Sequence, residues 1–594
     1  MSAPVLSTLE DQIQQALRLG AMQEAVQIAT AAHLREPEDA ATLLRLGQLL
    51  LQAGELHEAH QALLKLLQLH PAPDIAISAR CELSQACLAA KDPFTAIAWL
   101  TDACRLAPHQ AALWLQLAQL LTQHLPASQG SAQSRDVLRQ GLLANPDEPQ
   151  LLMALAERLM QVHDYPGALP LYAHLNQLEP HDTATLLNYG YCQEHSHYLH
   201  EAAATYRKAL TLNPDFMEAH VDLSGLLWRL TDFDGALAHA QHAVAMAPDH
   251  PYAVRILGTA LLQLGRLDEA RQHLQRALQL KPDFAIAQID LAMLQLLSGD
   301  SAAGWRTYQK RWNDTQRLTR PDFYLPANEW QGPLAQPLKG KRILVYGEQG
   351  FGDVIQFMRY ASCLQAEGAQ VFCQIPLPLV PLIERIPGVQ CLLPQQLLHT
   401  HYHVALMDLP LHFENAIPPA PYLSVAKPQQ AAWQARLVPW QNKLKLGIAW
   451  AGNPAHANHH NRSLYLSDFQ PLMSLDGVQC FSLQKSDGGA YTDCVPDVLA
   501  LIDLTAHWTD FTDSAAQIAA LDLVVCVDSA VAHLAGALGK PVWLLLPPNP
   551  DWRWLQARED TPWYPSLRLF RRAHAETRGQ QMCRVVQALG QLRC

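Results

Sequence analysis

A proline that recurs about every 34 residues is the feature that most limits how this chain can fold. The series is Pro37, Pro71, Pro108, Pro146, Pro180, Pro214, Pro248 and Pro282, with spacings of 34, 37, 38, 34, 34, 34 and 34. Proline cannot continue a helix, so each member marks the turn where a new unit begins. A period of this length predicts a stack of similar supersecondary units, each of which contacts its neighbours.

Small residues recur in phase with these prolines. Alanine stands twelve residues before seven of them, at Ala25, Ala59, Ala96, Ala168, Ala202, Ala236 and Ala270, and Ser134 takes this place before Pro146. Further small residues stand 24 positions before a proline (Gly47, Ser84, Ala156, Gly190, Ser224, Gly258) and five before it (Ala32, Ala103, Ala209, Ala243, Ala277). Helices pack most closely where small side chains meet, so the pattern predicts one helical hairpin per unit.

These signals resemble the tetratricopeptide repeat (TPR), whose unit is 34 residues. The resemblance predicts an α-solenoid over residues 1–312, with about eight units and a terminal half unit at 301–312. In the fourth unit, the weakest, residues 124–134 are expected to form a lengthened loop between the helices. TPR arrays form a superhelix with a concave groove that typically captures a protein or peptide; a rigid spacer or an oligomerisation surface is the alternative.

The helical period stops near residue 313. Residues 313–338 carry prolines and no amphipathic run, so they are expected to form a linker. Short apolar runs then alternate with helical stretches, which predicts an α/β fold with two parallel sheets covered on both faces. A split near 437–445 gives two lobes at 339–438 and 439–594. Ligands of such sheets bind at the carboxyl ends of the strands.

Composition excludes several classes of protein. A formal charge of −12 argues against a general nucleic-acid binder, and 49% hydrophobic residues argue against disorder. We expect no membrane span, because the chain lacks a long apolar run without charges. We expect no secretory signal, because the first residues do not form a basic stretch followed by an apolar one. Twelve cysteines without CxxC spacing predict reduced thiols in a cytoplasmic protein rather than disulfides or a zinc site.

The first motif is a glycine-rich turn between a strand and a helix, in the segment YGEQGFGDVIQF. Gly347, Gly350 and Gly352 permit a close approach of the backbone to another group. Their spacing fits neither a dinucleotide fingerprint nor a Walker A loop. Asp353 stands at the expected start of the helix. It is either a helix cap or a general base.

A second motif lies where a buried apolar strand ends at Asp528. Ser529 and Ala530 open a helix of small residues that includes His533. The free N–H groups and positive dipole end of such a helix suit a diphosphate. In the alternative interpretation, Asp528 caps the helix and His533 is a core histidine.

A third motif begins where another strand ends at Trp450, Gly452 and Asn453. A polar loop leads from it to Arg462. An arginine at this place can neutralise a departing phosphate through two hydrogen bonds.

Histidines and tryptophans form two further groups. His456, His459 and His460 suggest a metal site, but loop spacing without nearby carboxylates does not define one, so we expect no metal. Trp552 and Trp554 could stack on a sugar or base, or pack the lobe. Beside them, Asp551 and Arg553 could orient a ligand.

Together, the motifs resemble glycosyltransferase family 9, the lipopolysaccharide heptosyltransferase group, over residues 340–575. The residues that carry the resemblance are Gly352-Asp353-Val354-Ile355 and Asp528-Ser529 with His533-Leu534-Ala535. The layout also resembles a bacterial subgroup in which TPR arrays precede this domain. It is similar in plan to protein O-linked N-acetylglucosamine transferase.

The resemblance implies a GT-B fold with two Rossmann-like lobes, the first on the acceptor side and the second on the nucleotide-sugar side. It implies inverting, metal-independent transfer of a hexosyl or heptosyl group without a cofactor, with Asp353 as the base that deprotonates the acceptor hydroxyl. The donor-binding residues would be Gly350, Gly352, Trp450, Gly452, Asn453, Arg462, Gln484, Asp528, Ser529, Ala530 and His533. Heptosyltransferases often have lysine in the Arg462 loop, and Glu348-Gln349 departs from their pattern.

Three functions are compatible with this arrangement. The first is a glycosyltransferase whose TPR groove presents a protein acceptor. The second is a TPR adaptor with a nucleotide-binding but inactive GT-B domain; the retained motifs argue against full degeneration. The third is a glycosyltransferase with a glycan or lipid acceptor, whose repeats serve complex assembly.

Overall fold

The computed structural model describes residues 8–315, 318–393, 396, 399–454, 456, 458–485 and 501–593. The chain divides into two compact units, Met1–Phe216 and Met217–Cys594. The sequence boundary after residue 312 follows the change of period. The second compact unit begins earlier, at Met217, so it contains the last helices of the array together with the α/β part.

Helical hairpins make up the first unit. Its helices over residues 8–216, all of which are described, are α1 (Leu9–Arg18), α2 (Met22–Arg35), α3 (Ala40–Ala53), α4 (Leu56–Gln68), α5 (Pro73–Ala89), α6 (Pro93–Leu106), α7 (Ala111–His124), α8 (Ala127–Ala144), α9 (Pro149–Gln161), α10 (Tyr165–Leu178), α11 (Thr183–His195) and α12 (Leu199–Leu212). The phased small residues lie where paired helices touch. Ala168 and Ala202 are fully buried, and a Cβ added to Gly190 of α11 would lie 2.6 Å from the Tyr206 ring of α12. The predicted hairpin is confirmed.

The prediction of a lengthened loop at 124–134 is wrong. Helix α7 ends at His124, and α8 begins at Ala127 and runs for 18 residues. Gly130 permits this, because a Cβ there would lie 2.5 Å from the carbonyl oxygen of Leu121. The glycine that suggests a loop therefore allows two helices to approach closely.

The second unit begins with six helices of the same kind. They are α13 (Met217–Arg229), α14 (Phe233–Met246), α15 (Pro251–Gln263), α16 (Leu267–Leu280), α17 (Ala285–Leu297) and α18 (Ser301–Tyr308). Helix α18, expected as a half unit, pairs with α17. Residues 8–308 thus form nine helical pairs, slightly more than expected, and the 3₁₀ turn Gln309–Asn313 follows them.

Four parallel strands form the first sheet, in the order β3-β2-β1-β4. The strands are β1 (Arg342–Tyr346), β2 (Gln370–Gln374), β3 (Val389–Cys391) and β4 (Tyr402–Ala405). The helices among and after them are α19 (Phe351–Phe357), α20 (Ala361–Ala366), α21 (Val380–Ile383) and α22 (Leu409–His412).

The second sheet is also parallel, in the order β10-β9-β8-β5-β6-β7. Its strands are β5 (Leu444–Ala449), β6 (Val478–Ser482), β7 (Leu501–Ile502), β8 (Leu523–Val527), β9 (Val542–Leu546) and β10 (Leu567–Arg571). The helices before, among and after them are α23 (Lys427–Arg436), α24 (His459–Arg462), α25 (Gln470–Met473), α26 (Phe511–Ala520), α27 (Ala530–Ala537) and α28 (Arg578–Arg593). The two predicted parallel sheets are confirmed. Sequence pattern does not reveal strands β3 and β7, because two or three residues carry no readable period.

One core joins the end of the array to the sheets within the second unit. The Trp305 ring of α18 meets Phe357 of α19 at 5.6 Å and Trp552 at 5.1 Å, both edge to face. The last helical pair therefore packs directly on the α/β part.

Within the described ranges, every helix is too short or too polar to cross a membrane. Ten cysteines of these ranges are free thiols, and Cys494 and Cys594 lie outside the described residues.

Two helical glycines of the second unit should respond oppositely to the same substitution. A Cβ at Gly258 would lie 2.9 Å from Leu274, whereas a Cβ at Gly225 would meet only Ile256, at 3.8 Å. We expect Gly258→Met to destabilise the protein by about 1–3 kcal/mol through overpacking. Gly225→Met should instead stabilise it by up to about 1 kcal/mol through helix propensity. Urea midpoints measure both changes, and shifts of equal sign would contradict this packing.

Candidate active site

The predicted motifs gather at the carboxyl ends of the strands. Asp353 lies after β1, Trp450 after β5 and Asp528 after β8. The start of α19 packs against α27. A Cβ at Gly352 would lie 3.0 Å from the ring of His533, so glycine permits the contact. The two motifs that carry the family resemblance therefore touch.

Asp353 caps its own helix and also forms an ion pair. Its Oδ2 accepts a hydrogen bond from the Gly350 N–H at 3.1 Å, and its Oδ1 pairs with Nη2 of Arg553. Arg553 also donates to Asp551 at 2.9 Å and to the side chain of Gln356 at 2.7 Å. Burial raises the pKa of Asp353, and Arg553 offsets part of the rise. A partly accessible carboxylate with a raised pKa is suited to accept a proton.

Arg462 lies against the turn of the third motif. A Cβ at Gly452 would lie 2.7 Å from its Nη2, so only glycine leaves room for the guanidinium. The Nε of Arg462 is buried and has no hydrogen-bond partner within the described part of the chain. Its charge lowers the pKa of both Asp353 and Asp528, which opposes the effect of burial. Arg462 thus links the motifs electrostatically.

Asp528 and Ser529 shape the start of α27. Asp528 is 7% exposed, and burial, followed by the nearby Asp551, raises its pKa. Ser529 is the N-cap residue and Ala530 the first residue of the helix, and the buried Ser529 hydroxyl lacks a partner among described residues. This helix start can accept an anion.

His533 and the two tryptophans lie in the core. His533 shares a hydrogen bond with the Tyr564 hydroxyl at 3.1 Å and stacks on Trp554 at 5.4 Å. Burial lowers the pKa of His533 well below its usual range, so the ring is neutral. Trp554 is fully buried, and Trp552 packs on Trp305. The burial of both indoles favours the alternative interpretation, in which they pack the lobe.

The remaining predicted residues form or contact the turn after β5. The Gln484 side chain accepts a hydrogen bond from the Ala451 N–H at 3.2 Å, and the carbonyl of buried Trp450 accepts one from Leu464 at 2.8 Å. Asn453 is exposed. Gln484 and Trp450 thus support the backbone near Arg462.

The histidines of the third motif do not converge. His459 shares a hydrogen bond with the Ser463 hydroxyl at 3.0 Å. Burial, followed by the charge of Arg462, lowers the pKa of His456 to about 4. Across the described ranges, no group of three His, Cys, Asp or Glu side chains is placed to hold a metal ion.

Sequence reasoning missed the role of Gln356 and the pairing of Arg553 with Asp353. The available signal was the single arginine inside the tryptophan-rich segment PNPDWRW. It also missed that Glu348 contacts Arg311 and that Gln349 contacts Tyr308. The available signal was that both residues depart from the family 9 pattern.

Comparison with protein families matches two parts of the chain. The tetratricopeptide repeat model matches residues 11–74, 44–111, 197–251 and 222–285. The model of glycosyltransferase family 9 (heptosyltransferase) matches residues 503–574. The second match contains the Asp528 motif and Arg553.

Individual relatives cover more or less of the chain. Protein FlbA of Caulobacter vibrioides is 26% identical over 437 residues, which is 68% of this chain and 72% of that protein. Among solved structures, a thermophilic TPR protein of Thermus thermophilus is 22% identical and covers 32% of this chain and 100% of its own, with a TM-score of 0.26. MamA of Desulfovibrio magneticus is 20% identical and covers 28% and 95%, with a TM-score of 0.25.

Proposed function

We propose that this chain, which combines tetratricopeptide repeats with a glycosyltransferase family 9 segment, transfers a sugar from a nucleotide-sugar to a hydroxyl group. The observation that carries the proposal is the contact between the family 9 segment and the Gly352-Asp353 motif. Gly352 touches His533 and Asp353 pairs with Arg553, so an acidic group and a helix start suited to phosphate share one site. We assign the two sheets to a GT-B arrangement, with the acceptor on the first lobe and the donor on the second.

The chemistry is a single displacement at the anomeric carbon. The acceptor oxygen forms the new bond while the bond to the diphosphate breaks, which inverts the configuration. Asp353 takes the hydroxyl proton, because its raised pKa favours proton uptake.

Positive groups of the chain stabilise the departing diphosphate. Arg462 supplies a guanidinium that contacts the Gly452 backbone, and the first N–H groups of α27 supply a helix dipole. These groups act where a metal ion would act in other transferases, so the proposal needs no metal and no cofactor.

The acceptor in this proposal is a protein or peptide held in the TPR groove. The repeat family supports this, because repeat arrays usually bind polypeptides. The transferred group is a hexosyl or heptosyl unit, as family 9 suggests. The reaction takes place in the cytoplasm.

A second candidate function has one observation in its favour. The carboxylate of Asp353 is engaged by Arg553. A TPR adaptor with an inactive nucleotide site would keep this pair closed permanently. In the enzyme, the pair of Asp353 and Arg553 opens when the acceptor enters. Release of nucleoside diphosphate from a nucleotide-sugar therefore distinguishes the enzyme from the adaptor.

A thermal-shift screen of the full chain tests the proposed function. Nucleoside diphosphates and nucleotide-sugars are the probes. A ligand at 100 times its Kd adds about 2.7 kcal/mol to the stability of the folded state. We expect at least one nucleoside diphosphate and its sugar to raise Tm, and the matching nucleoside to raise it much less. A flat response to the whole panel would contradict the proposal.

A further inference from the structure

We infer that Arg311, in the 3₁₀ turn that ends the repeat array, is a positioning residue for Asp353, so that the array completes the active site. The inference rests on the proposed function. Its basis is a set of contacts that hold both ends of the segment carrying Asp353.

Arg311 binds two carboxylates at the edge of the first sheet. Its Nη2 donates to Glu348 at 2.7 and 2.8 Å, and its Nη1 donates to Asp408 at 2.7 Å. Glu348 follows β1 and Asp408 follows β4, which are neighbouring strands. The Arg311 side chain is only 3% exposed. One guanidinium thus ties the end of the array to the carboxyl ends of two strands.

Two further contacts hold the same segment. The side-chain amide of Gln349 donates to the hydroxyl of Tyr308, which belongs to α18. Trp305 of α18 packs on Phe357, the last residue of α19. Asp353 lies between Gln349 and Phe357, so α18 and the following turn constrain the chain on both sides of the proposed base.

The electrostatics make this link costly to break. Burial raises the pKa of Glu348 to about 7, although Arg311 opposes the rise, and the second carboxylate, that of Asp408, adds to it. Removing Arg311 leaves the buried carboxylates of Glu348 and Asp408 without this cation. The contacts also explain why Glu348-Gln349 departs from the family pattern: both residues bind the repeat array.

Four variants test whether Arg311 positions Asp353 or only holds the repeat array against the first sheet. Arg311→Met removes the hydrogen bonds to both carboxylates. Arg311→Lys keeps the positive charge but loses the planar guanidinium, and Glu348→Gln replaces a carboxylate by its neutral isostere. The matched control is Arg255→Met, because Arg255 forms a 2.6 Å pair with Asp290 inside the repeats. The measurements are kcat for release of nucleoside diphosphate, Kd for that diphosphate, and amide hydrogen exchange of residues 347–353 and 523–537.

We expect Arg311→Met to lower kcat about 100-fold, since small misplacements of a catalytic group cost rates of this order. Kd for the diphosphate should stay within about twofold, because the second sheet holds the nucleotide. Exchange should accelerate in 347–353 and not in 523–537. Arg311→Lys should recover part of kcat, and Arg255→Met should match the wild type.

Unchanged exchange and kcat in Arg311→Met or Glu348→Gln would overturn the inference, as would a loss of nucleotide binding equal to the loss of kcat. If Arg311→Met does not fold, Glu348→Gln carries the test. If the wild type releases no nucleoside diphosphate, the proposed function fails, and exchange in 347–353 alone decides whether Arg311 holds the segment.

Discussion

Replacing Asp353 by asparagine lowers the rate of sugar transfer by about 10²–10⁴-fold, the usual contribution of a general base. Asparagine keeps the shape of the side chain but cannot accept the acceptor proton. Nucleotide binding should persist, because Arg462 and α27 remain. The measurement is release of nucleoside diphosphate from the donor identified by thermal shift, first with water as acceptor.

Asp468→Asn is the matched control for this variant. Asp468 accepts a hydrogen bond from the Tyr465 N–H at 2.8 Å, three residues earlier, as Asp353 does from Gly350 at 3.1 Å. It shares the capping role but not the contact with Arg553. Equal losses in the two variants would assign Asp353 to capping alone, and wild-type turnover in Asp353→Asn would remove it as the base.

The pH dependence of turnover gives the same base a second signature. A base must be ionised, and burial raises the pKa of Asp353. The wild-type rate should therefore rise with pH and reach its plateau at a higher pH than an ordinary aspartate would give. The residual rate of Asp353→Asn should not show this rise with pH.

Replacing Arg462 by methionine weakens binding of the nucleoside diphosphate by about 10–100-fold. Hydrogen bonds to charged groups are worth about 1.5–3 kcal/mol, which corresponds to this range. Methionine retains much of the side-chain volume beside Gly452 and removes the charge. Isothermal titration calorimetry measures Kd for each variant.

Two further variants sharpen this second prediction. Arg462→Lys should retain more affinity than Arg462→Met, because lysine keeps the charge but loses bidentate geometry. Arg568→Met is the control, since Arg568 lies on strand β10 and is 48% exposed in its weak pair with Glu559. Unchanged affinity in Arg462→Met would mean that other groups hold the diphosphate.

Local pattern is enough to predict most of the fold. The phased alanines specify helix pairs because each must be small for its neighbour, and the apolar runs of β8 and β9 are long enough to indicate buried strands. The prediction for residues 124–134 is wrong because their composition favours a loop while the close contact of Gly130 with α7 favours a helix. Such a contact is invisible in a single sequence.

The candidate site is partly predictable for the same reason. Gly352-Asp353 and Asp528-Ser529 each follow an apolar strand, which places both at a carboxyl edge. The partners of Asp353 are not predictable, since Arg553 lies 200 residues further along the chain. Arg311 and Glu348 are 37 residues apart. Pairings between distant charged residues depend on the packed structure.

One assay tests the central claim most directly: release of nucleoside diphosphate from a panel of nucleotide-sugars by the wild type, Asp353→Asn and Arg462→Met, with Kd measured on the same preparations. The account predicts that the wild type binds and releases, that Asp353→Asn binds without release, and that Arg462→Met binds weakly. Equal release by the wild type and Asp353→Asn, or binding of no nucleoside diphosphate by the wild type, would contradict it.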